Sequence, residues 1–246
     1  MESPIPLSSW SEANSQQFVD YGRYFVPERE KQIDMLCKLV PPASGPLRLL
    51  ELCCGEGLLA EALLEHFPQA ALTGYDGSPL MLERAAQRLE RFGERFSVRH
   101  FELAERNWRG GQAQYNAILS SLAIHHLDAA GKQALYTDVY QMLLPGGSFL
   151  IADLVLPVGS EAMEFAAAEW DAAVRQQALE LDGTLEAYEF FVREGWNIFR
   201  YPDPMDQPSP LNDHIRWLEA AGYQDLNVFW ASAGHAVWGG RRPASS

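Results

Sequence analysis

The sequence predicts an α/β protein: a doubly wound, mostly parallel seven-stranded sheet with an antiparallel last strand, and a helical cap inserted after strand five. Three observations lead there. From Leu47 to Val155 short apolar runs alternate with amphipathic helical patterns, which is βαβ repetition. From Leu211 onward a helix stopped by Gly222 precedes two strand patterns so close that they must pair as an antiparallel hairpin. Between these regions, Val158 to Pro210 carries two helical patterns and then the turn-rich run YPDPMDQPSP.

Taken in order, the chain up to about Pro42 is helical and aromatic. Phe18, Tyr21, Tyr24 and Phe25 precede Pro27, and Ile33, Leu36, Cys37 and Val40 recur at helical spacing, which predicts a lid followed by a packed helix. Strands are predicted over Leu47 to Cys53, Ala71 to Asp76, Phe96 to Glu102, Tyr115 to Ser121 and Ser148 to Val155. Pro68, the Ser78-Pro79 step and Leu144-Pro145-Gly146-Gly147 punctuate the helices between them. In the cap, Met163, Ala166, Trp170 and Ala173 fall on one helical face, and the hairpin strands are expected over Asp225 to Trp230 and Ala236 to Gly239. The expected organisation is one domain over residues 1–246, with a lid (1–42), a core (47–157), a cap (158–210) and a closing helix and hairpin (211–246).

Composition narrows the function. With 246 residues, 47% of them hydrophobic, the chain can bury one sizeable core. No run approaches the roughly 20 apolar residues needed to span a bilayer, and the N-terminal stretch has no signal pattern, so a cytoplasmic protein without membrane contact is expected. Cys37, Cys53 and Cys54 form neither a disulfide framework nor a metal-ligand spacing; free thiols and no metal are expected. The 33 acidic residues against 19 basic ones, a formal charge of −14, repel phosphate backbones, so no nucleic-acid partner is expected.

The run LLELCCGEGLLAEAL places Glu51 at the end of an apolar strand and Gly55 and Gly57 in the turn that opens a helix, where glycines let a cofactor approach the backbone. Gly55 to Ala60 also matches a dinucleotide fingerprint, with Asp76 21 residues after Gly55, and this signal alone leaves NAD and S-adenosylmethionine comparable. The closing hairpin argues against a second mononucleotide half, and Glu51 would repel a pyrophosphate but suits a cationic ligand.

With these residues in place, the chain resembles class I S-adenosylmethionine-dependent methyltransferases of the small-molecule type, well over residues 47 to 155 and loosely in the hairpin. The resemblance implies that Glu51 and the turn from Cys53 through Gly55 to Gly57 hold the methionine end of S-adenosylmethionine. It implies that Asp76 accepts hydrogen bonds from the ribose hydroxyls, that Gly77 and Met81 line the adenine, that Glu102 and Leu103 contact its amine and ring edge, and that Ser121 faces the methionine moiety. Cys53 stands where that family usually has its first glycine, Asn116 where it often has Asp, and Glu102 where Asp is commoner.

Methyl transfer from a sulfonium is an in-line displacement, to which a protein contributes mainly orientation. If the acceptor is a hydroxyl or protonated amine, a base should come from the strand ends, where His125, His126 and Asp153 follow strands four and five. Histidine titrates near neutrality, which makes His125 and His126 the catalytic candidates, beside the reading that HHL only packs below the pocket. Tyr21 and Tyr24, with Trp10, Phe18 and Phe25, are placed to close over the cofactor, where a tyrosine would add roughly 0.5–2 kcal/mol of cation–π attraction, or else to pack.

The cap carries eleven acidic residues against Arg175, Arg193 and Arg200, which predicts a largely solvated face. Its Trp170, Tyr188, Phe190, Phe191, Trp196 and Phe199 could form an aromatic pocket for a neutral or cationic organic acceptor. The expectation is methyl transfer to O, N or C of a small molecule by a monomer or homodimer. Three alternatives stand beside it: a cofactor-binding regulatory or partner protein, a macromolecular methyltransferase, and an NAD-linked oxidoreductase.

Overall fold

The computed structural model describes residues 11–43, 45–110 and 113–244; Trp10 lies outside them. Its helices are α1 (Glu12–Phe25), α2 (Arg29–Leu39), α3 (Leu58–His66), α4 (Pro79–Leu89), α5 (Ala129–Met142), α6 (Ser160–Asp182), α7 (Glu186–Arg193) and α8 (Leu211–Ala220). Its strands are β1 (Leu47–Leu52), β2 (Ala70–Asp76), β3 (Phe96–His100), β4 (Tyr115–Ser121), β5 (Leu143–Leu154), β6 (Gln224–Ser232) and β7 (His235–Arg241). They form one seven-stranded sheet in the order β3-β2-β1-β4-β5-β7-β6. The pairs from β3 to β5 are parallel, and β7 runs antiparallel to both its neighbours.

The central strands are continuous apolar runs because both faces of the sheet are covered. On one face Leu50, Leu52, Ile118, Phe149, Ile151 and Trp238 pack with Leu135, Tyr136 and Val139 of α5 and Leu218 of α8. On the other, Leu49, Leu119, Leu150 and Val237 pack with Leu36 of α2, Leu59 and Leu63 of α3 and Leu89 of α4. Each fully buried leucine contributes about 1.5–3 kcal/mol, so this double layer holds the sheet ends rigid.

Several boundaries move. β1 stops at Leu52 because Cys53 turns out of the strand with φ 55°, in the left-handed region. β3 stops at His100; its last register pair is Asp76 with His100, which leaves Glu102 in the following turn. The Leu144-Pro145-Gly146-Gly147 run does not separate helix from strand. α5 ends at Met142 and β5 starts at Leu143, absorbing the run as an irregularity between the pairs Tyr115 with Leu143 and Ala117 with Ser148.

In the cap, α6 buries Ala166, Ala167, Trp170, Val174 and Ala178, while Met163 and Ala173 are only partly covered. The buried face follows a four-residue ridge because Phe25 of α1 and Phe191 of α7 pack along it. Trp170 Nε1 donates to the Phe25 carbonyl at 2.7 Å, and Gln177 Nε2 to the carbonyls of Tyr24 and Val26 at 2.7 and 3.1 Å. Lid and cap therefore share one aromatic core. Among the described residues no helix is long and apolar enough to cross a membrane.

Candidate active site

Parallel strands deliver their carboxyl ends to one edge of the sheet, and four carboxylates arrive there. Glu51 ends β1, Asp76 ends β2, Asp153 lies near the end of β5, and Glu102 follows β3. All four act electrostatically on Cys53, whose thiol is pushed up first by burial and then by Asp76, Asp153, Glu51 and Glu102. Their positions at and just after the strand ends make this edge of the sheet acidic.

Glu51 is 2% exposed, and its Oε2 is buried without a hydrogen-bond partner among the described residues. Burial, then Asp76, raises its pKa well above the ordinary value, with Arg29 pulling the other way. Asp76 accepts from the backbone N–H of Gly55 at 2.8 Å through Oδ2 and of Ser78 at 2.9 Å through Oδ1. Burial raises its pKa against those backbone donors. The two bonds fix the carboxylate between the glycine turn and the start of α4, and each oxygen keeps a lone pair for a hydroxyl donor.

The two glycines of the turn do different work. Gly55, at φ +53°, has nothing within 4 Å of where a Cβ would stand, so its surface is open to a ligand. At Gly57 a Cβ would lie 2.9 Å from Leu89 Cδ1, so that glycine serves the packing of α3 on α4 rather than cofactor approach. Gly77 faces the Phe101 carbonyl, with the Glu102 carboxylate oxygens 3.8 Å from the position of its Cβ. Met81 is buried in the first turn of α4, and its N–H donates to the Ser78 hydroxyl, the helix N-cap. Leu103 is partly buried against the core, and Ser121 ends β4.

The lid is fastened at the same place. Glu12 Oε2 accepts from the Ser78 hydroxyl at 3.1 Å and from the Leu80 N–H at 3.2 Å, which puts a carboxylate at the N-terminus of α4. The Ser15 hydroxyl lies 3.1 Å from that of Ser78. The tyrosines are placed differently from expectation. Tyr24 hydrogen-bonds Asp182 of the cap, and Tyr21 stacks on Phe190 with centroids 4.1 Å apart. Both rings belong to the lid and cap core because stacking there buries them more completely than an open cofactor face would. The six cap aromatics lie in or against that same core, and the acidic cap face is mostly exposed, Asp171 and Asp206 excepted.

His125 departs from the expected general base. Its Nδ1 donates to Asp153 Oδ1 at 2.5 Å, its N–H to Asp153 Oδ2 at 3.1 Å, and its Nε2 lies 3.2 Å from Asp206 Oδ1. Burial lowers its pKa, but Asp153 and Asp206 outweigh burial and raise it to about 10, so the ring is an imidazolium near neutrality and has no site for a proton. His126 Nδ1 shares Asp206 at 3.1 Å. The donor atoms of His125, His126 and Asp206 fall within 4.8 Å of one another, a grouping spread over 82 residues that no spacing rule reveals.

Sequence reasoning also missed three residues at this edge: Arg29, His100, whose Nε2 lies 3.0 Å from the Gly77 carbonyl, and Asp206. His100 was readable as the strand's last residue beside Asp76; Arg29 and Asp206 carried no local signal.

An α/β sheet with an open glycine turn, an Asp bonded to that turn from the next strand, and a buried carboxylate oxygen without a partner has features that a nucleoside-sulfonium ligand needs. An unpartnered Glu51 oxygen beside an open Gly55 fits S-adenosylmethionine, whose ammonium and sulfonium both carry positive charge. Residues 49–147 match the family model described as a methyltransferase domain, and the chain is similar to S-adenosylmethionine-dependent methyltransferases, which supports S-adenosylmethionine as the cofactor. It is 43% identical over 54 residues to the trans-aconitate 2-methyltransferase of Streptomyces coelicolor, covering 22% of this chain and 18% of that one. It is 24% identical over 238 residues to the carboxy-S-adenosyl-L-methionine synthase of Desulforapulum autotrophicum, covering 93% of this chain and 88% of that one. Its fold matches the Haemonchus contortus phosphoethanolamine N-methyltransferase 2, solved in complex with S-adenosyl-L-methionine. That match has a TM-score of 0.66 at 14% identity, over 96% of this chain and 58% of that one.

Proposed function

We propose that the protein transfers a methyl group from S-adenosylmethionine to O, N or C of a small, neutral or cationic organic molecule. Core, lid (1–42) and cap (158–210) would act as one domain. The observation that carries this is the open Gly55 turn, with Asp76 bonded to it from the next strand and the buried, unpartnered Glu51 Oε2 at the end of β1, an acidic site that suits cations and disfavours polyanions. When bound, the sulfonium supplies an activated methyl group.

The residues of this chain bind and orient. Asp76 takes the ribose hydroxyls, Glu51 the ammonium, and Gly77, Met81, Glu102 and Leu103 the adenine, with Ser121 beside the methionine chain. The lid closes over them by its bonds to Ser78 and Leu80. His125, held between two carboxylates, orders the acceptor side rather than taking a proton. The acceptor therefore attacks as a nucleophile that is already deprotonated, or loses its proton to His126 or to water.

A second reading, in which the sulfonium methyl loses a proton and forms a C–C bond to carbon dioxide released by a carboxylic-acid co-substrate, is favoured by the length of the likeness to the carboxy-S-adenosyl-L-methionine synthase. Incubation with S-adenosylmethionine labelled in its methyl group, against panels of amines, phenols and carboxylic acids, separates the two by mass spectrometry. Label in an acceptor supports methyl transfer. Label retained in a heavier nucleoside supports the second reading, and label left wholly in unchanged S-adenosylmethionine refutes both.

A further inference from the structure

Four side chains from distant parts of the chain meet at the carboxyl ends of β4 and β5. His125 and His126 follow β4, Asp153 lies near the end of β5, and Asp206 comes from the turn-rich run that ends the cap. His125 Nε2 lies 3.2 Å and His126 Nδ1 3.1 Å from one and the same oxygen, Asp206 Oδ1. Both separations exceed the roughly 2.7–2.9 Å of a charge-assisted N–H···O bond. They are the spacing of neighbouring ligands on one ion. With bonds of roughly 2.0–2.2 Å, two donors stand about 2.9 Å apart at a right angle and about 3.4 Å apart at the tetrahedral angle.

The orientation that a histidine ligand needs is already set. His125 Nδ1 is engaged by Asp153, which turns Nε2 toward Asp206, and Asp153 is itself fixed by the backbone N–H groups of His125 at 3.1 Å and Leu154 at 2.8 Å. A carboxylate behind the ring fixes its tautomer and raises the basicity of the far nitrogen. Asp206 is positioned by backbone on both sides: its own N–H donates to the Asp203 carbonyl at 3.0 Å, and that of Gln207 to the His125 carbonyl at 2.8 Å. Charge agrees with geometry. Two neutral imidazoles with the carboxylates of Asp153 and Asp206 carry two negative charges, which one divalent cation cancels; without it, ring protons serve instead.

We propose that His125 Nε2, His126 Nδ1 and Asp206 bind one divalent first-row transition-metal ion, with Asp153 orienting His125. Two imidazole nitrogens beside a single carboxylate select against magnesium and calcium, which take oxygen ligands. Three protein ligands leave a position open, as in a Lewis-acid site rather than a closed structural one, and His126 and Asp206 are only partly buried. Because Asp206 belongs to the run that ends the cap, the ion also fastens that run to the sheet. One consequence rests on the methyl-transfer reading: the acceptor is then a molecule that offers the ion an oxygen or a nitrogen.

The test is titration of the full chain, freed of metal by a chelator and dialysed, with Zn²⁺, Co²⁺ and Mg²⁺, read by calorimetry and, for Co²⁺, by visible absorption. The expected result is one equivalent of Zn²⁺ or Co²⁺ bound, no response to Mg²⁺, and visible cobalt bands without the near-ultraviolet charge-transfer band of a thiolate ligand. Asp153→Asn should weaken Zn²⁺ by roughly 10–100-fold, as loss of an orienting carboxylate does, and His126→Ala and Asp206→Ala by at least as much. Circular dichroism checks that each variant is folded, and His126, being partly exposed, is the variant least dependent on the core. Wild type that takes up no equivalent of Zn²⁺, binding undiminished in folded His126→Ala and Asp206→Ala, or a thiolate band would each overturn the proposal. S-adenosylhomocysteine titrated alongside separates the two readings. A chain that binds it but no Zn²⁺ loses the metal site alone, whereas one that binds Zn²⁺ but neither S-adenosylhomocysteine nor S-adenosylmethionine keeps the site and overturns the methyl-transfer reading.

Discussion

Glu51 shows how the site trades stability for binding. Burial raises its folded pKa above the ordinary value, so the folded chain keeps this proton to higher pH than the unfolded chain does. Its contribution to stability therefore falls as pH rises above about 4.5, where the unfolded carboxyl ionises. Glu51→Gln is expected to raise the melting temperature at neutral pH, with about 1 kcal/mol corresponding to roughly 2–4 °C at this size. The same change should weaken S-adenosylhomocysteine roughly tenfold or more, because a charged acceptor for the ammonium is gone. Calorimetry in buffers of different ionisation enthalpy adds a sign. An ammonium must draw Glu51 into its ionised form, so binding should release protons to the buffer, and a variant that binds without proton release would contradict this role. Cys53 is a residue-scale lesson of another kind. Its place in the glycine pattern was readable, and its φ of 55° shows that the backbone keeps the glycine conformation despite the substitution.

At the scale of elements, the lid and the cap are each fastened by a small set of polar groups. Glu12→Ala removes the carboxylate from the N-terminus of α4 and leaves the Ser78 and Leu80 donors to water. Lid opening should become easier, read as faster dissociation of S-adenosylhomocysteine by stopped flow, with the affinity lost through the off-rate. The cap is latched through residues 206–209. Asp206 meets both histidines, the Gln207 N–H donates to the His125 carbonyl at 2.8 Å, and Lys132 Nζ bonds the Gln207 carbonyl and the Ser209 hydroxyl.

The raised pKa of His125 means that its contribution is complete below its ordinary value of 6.5 and is lost as pH rises through about 10. The lowered pKa of Asp206 means that its contribution is present above 3.8 and is lost as pH falls further. Hydrogen exchange of the cap should accordingly be slowest between these limits and accelerate on the alkaline side. Asp206→Asn should cost about 1–3 kcal/mol of cap stability and flatten that alkaline rise. An unchanged pH profile in the variant would show that the latch lies elsewhere.

For the molecule as a whole, the sheet was legible because its information is local. β4 matches its expected limits residue for residue, and the strand–helix alternation and the hairpin spacing gave the mostly parallel sheet and its antiparallel end. Glu51, Asp76 and the glycine turn come together at the sheet edge, and that grouping was legible because they lie where consecutive elements meet. The rest was not, for a shared physical reason. Asp206 reaches His125 across 81 residues, Arg29 acts on the charge of Glu51 from a helix outside the sheet, and Tyr24 is claimed by Asp182, so long-range packing decides each of them. His125, one of two base candidates beside a packing reading, became an ion pair once Asp153 and Asp206 were folded against it.

The claim at the centre is that the carboxyl edge of this sheet is built for S-adenosylmethionine. Isothermal titration with S-adenosylhomocysteine, run beside NAD and repeated on Asp76→Ala, tests it most directly. The account predicts binding of S-adenosylhomocysteine, weakened by roughly tenfold or more when the ribose acceptor is removed, and no measurable binding of NAD. Binding of NAD in place of S-adenosylhomocysteine, or S-adenosylhomocysteine binding indifferent to Asp76, would contradict it.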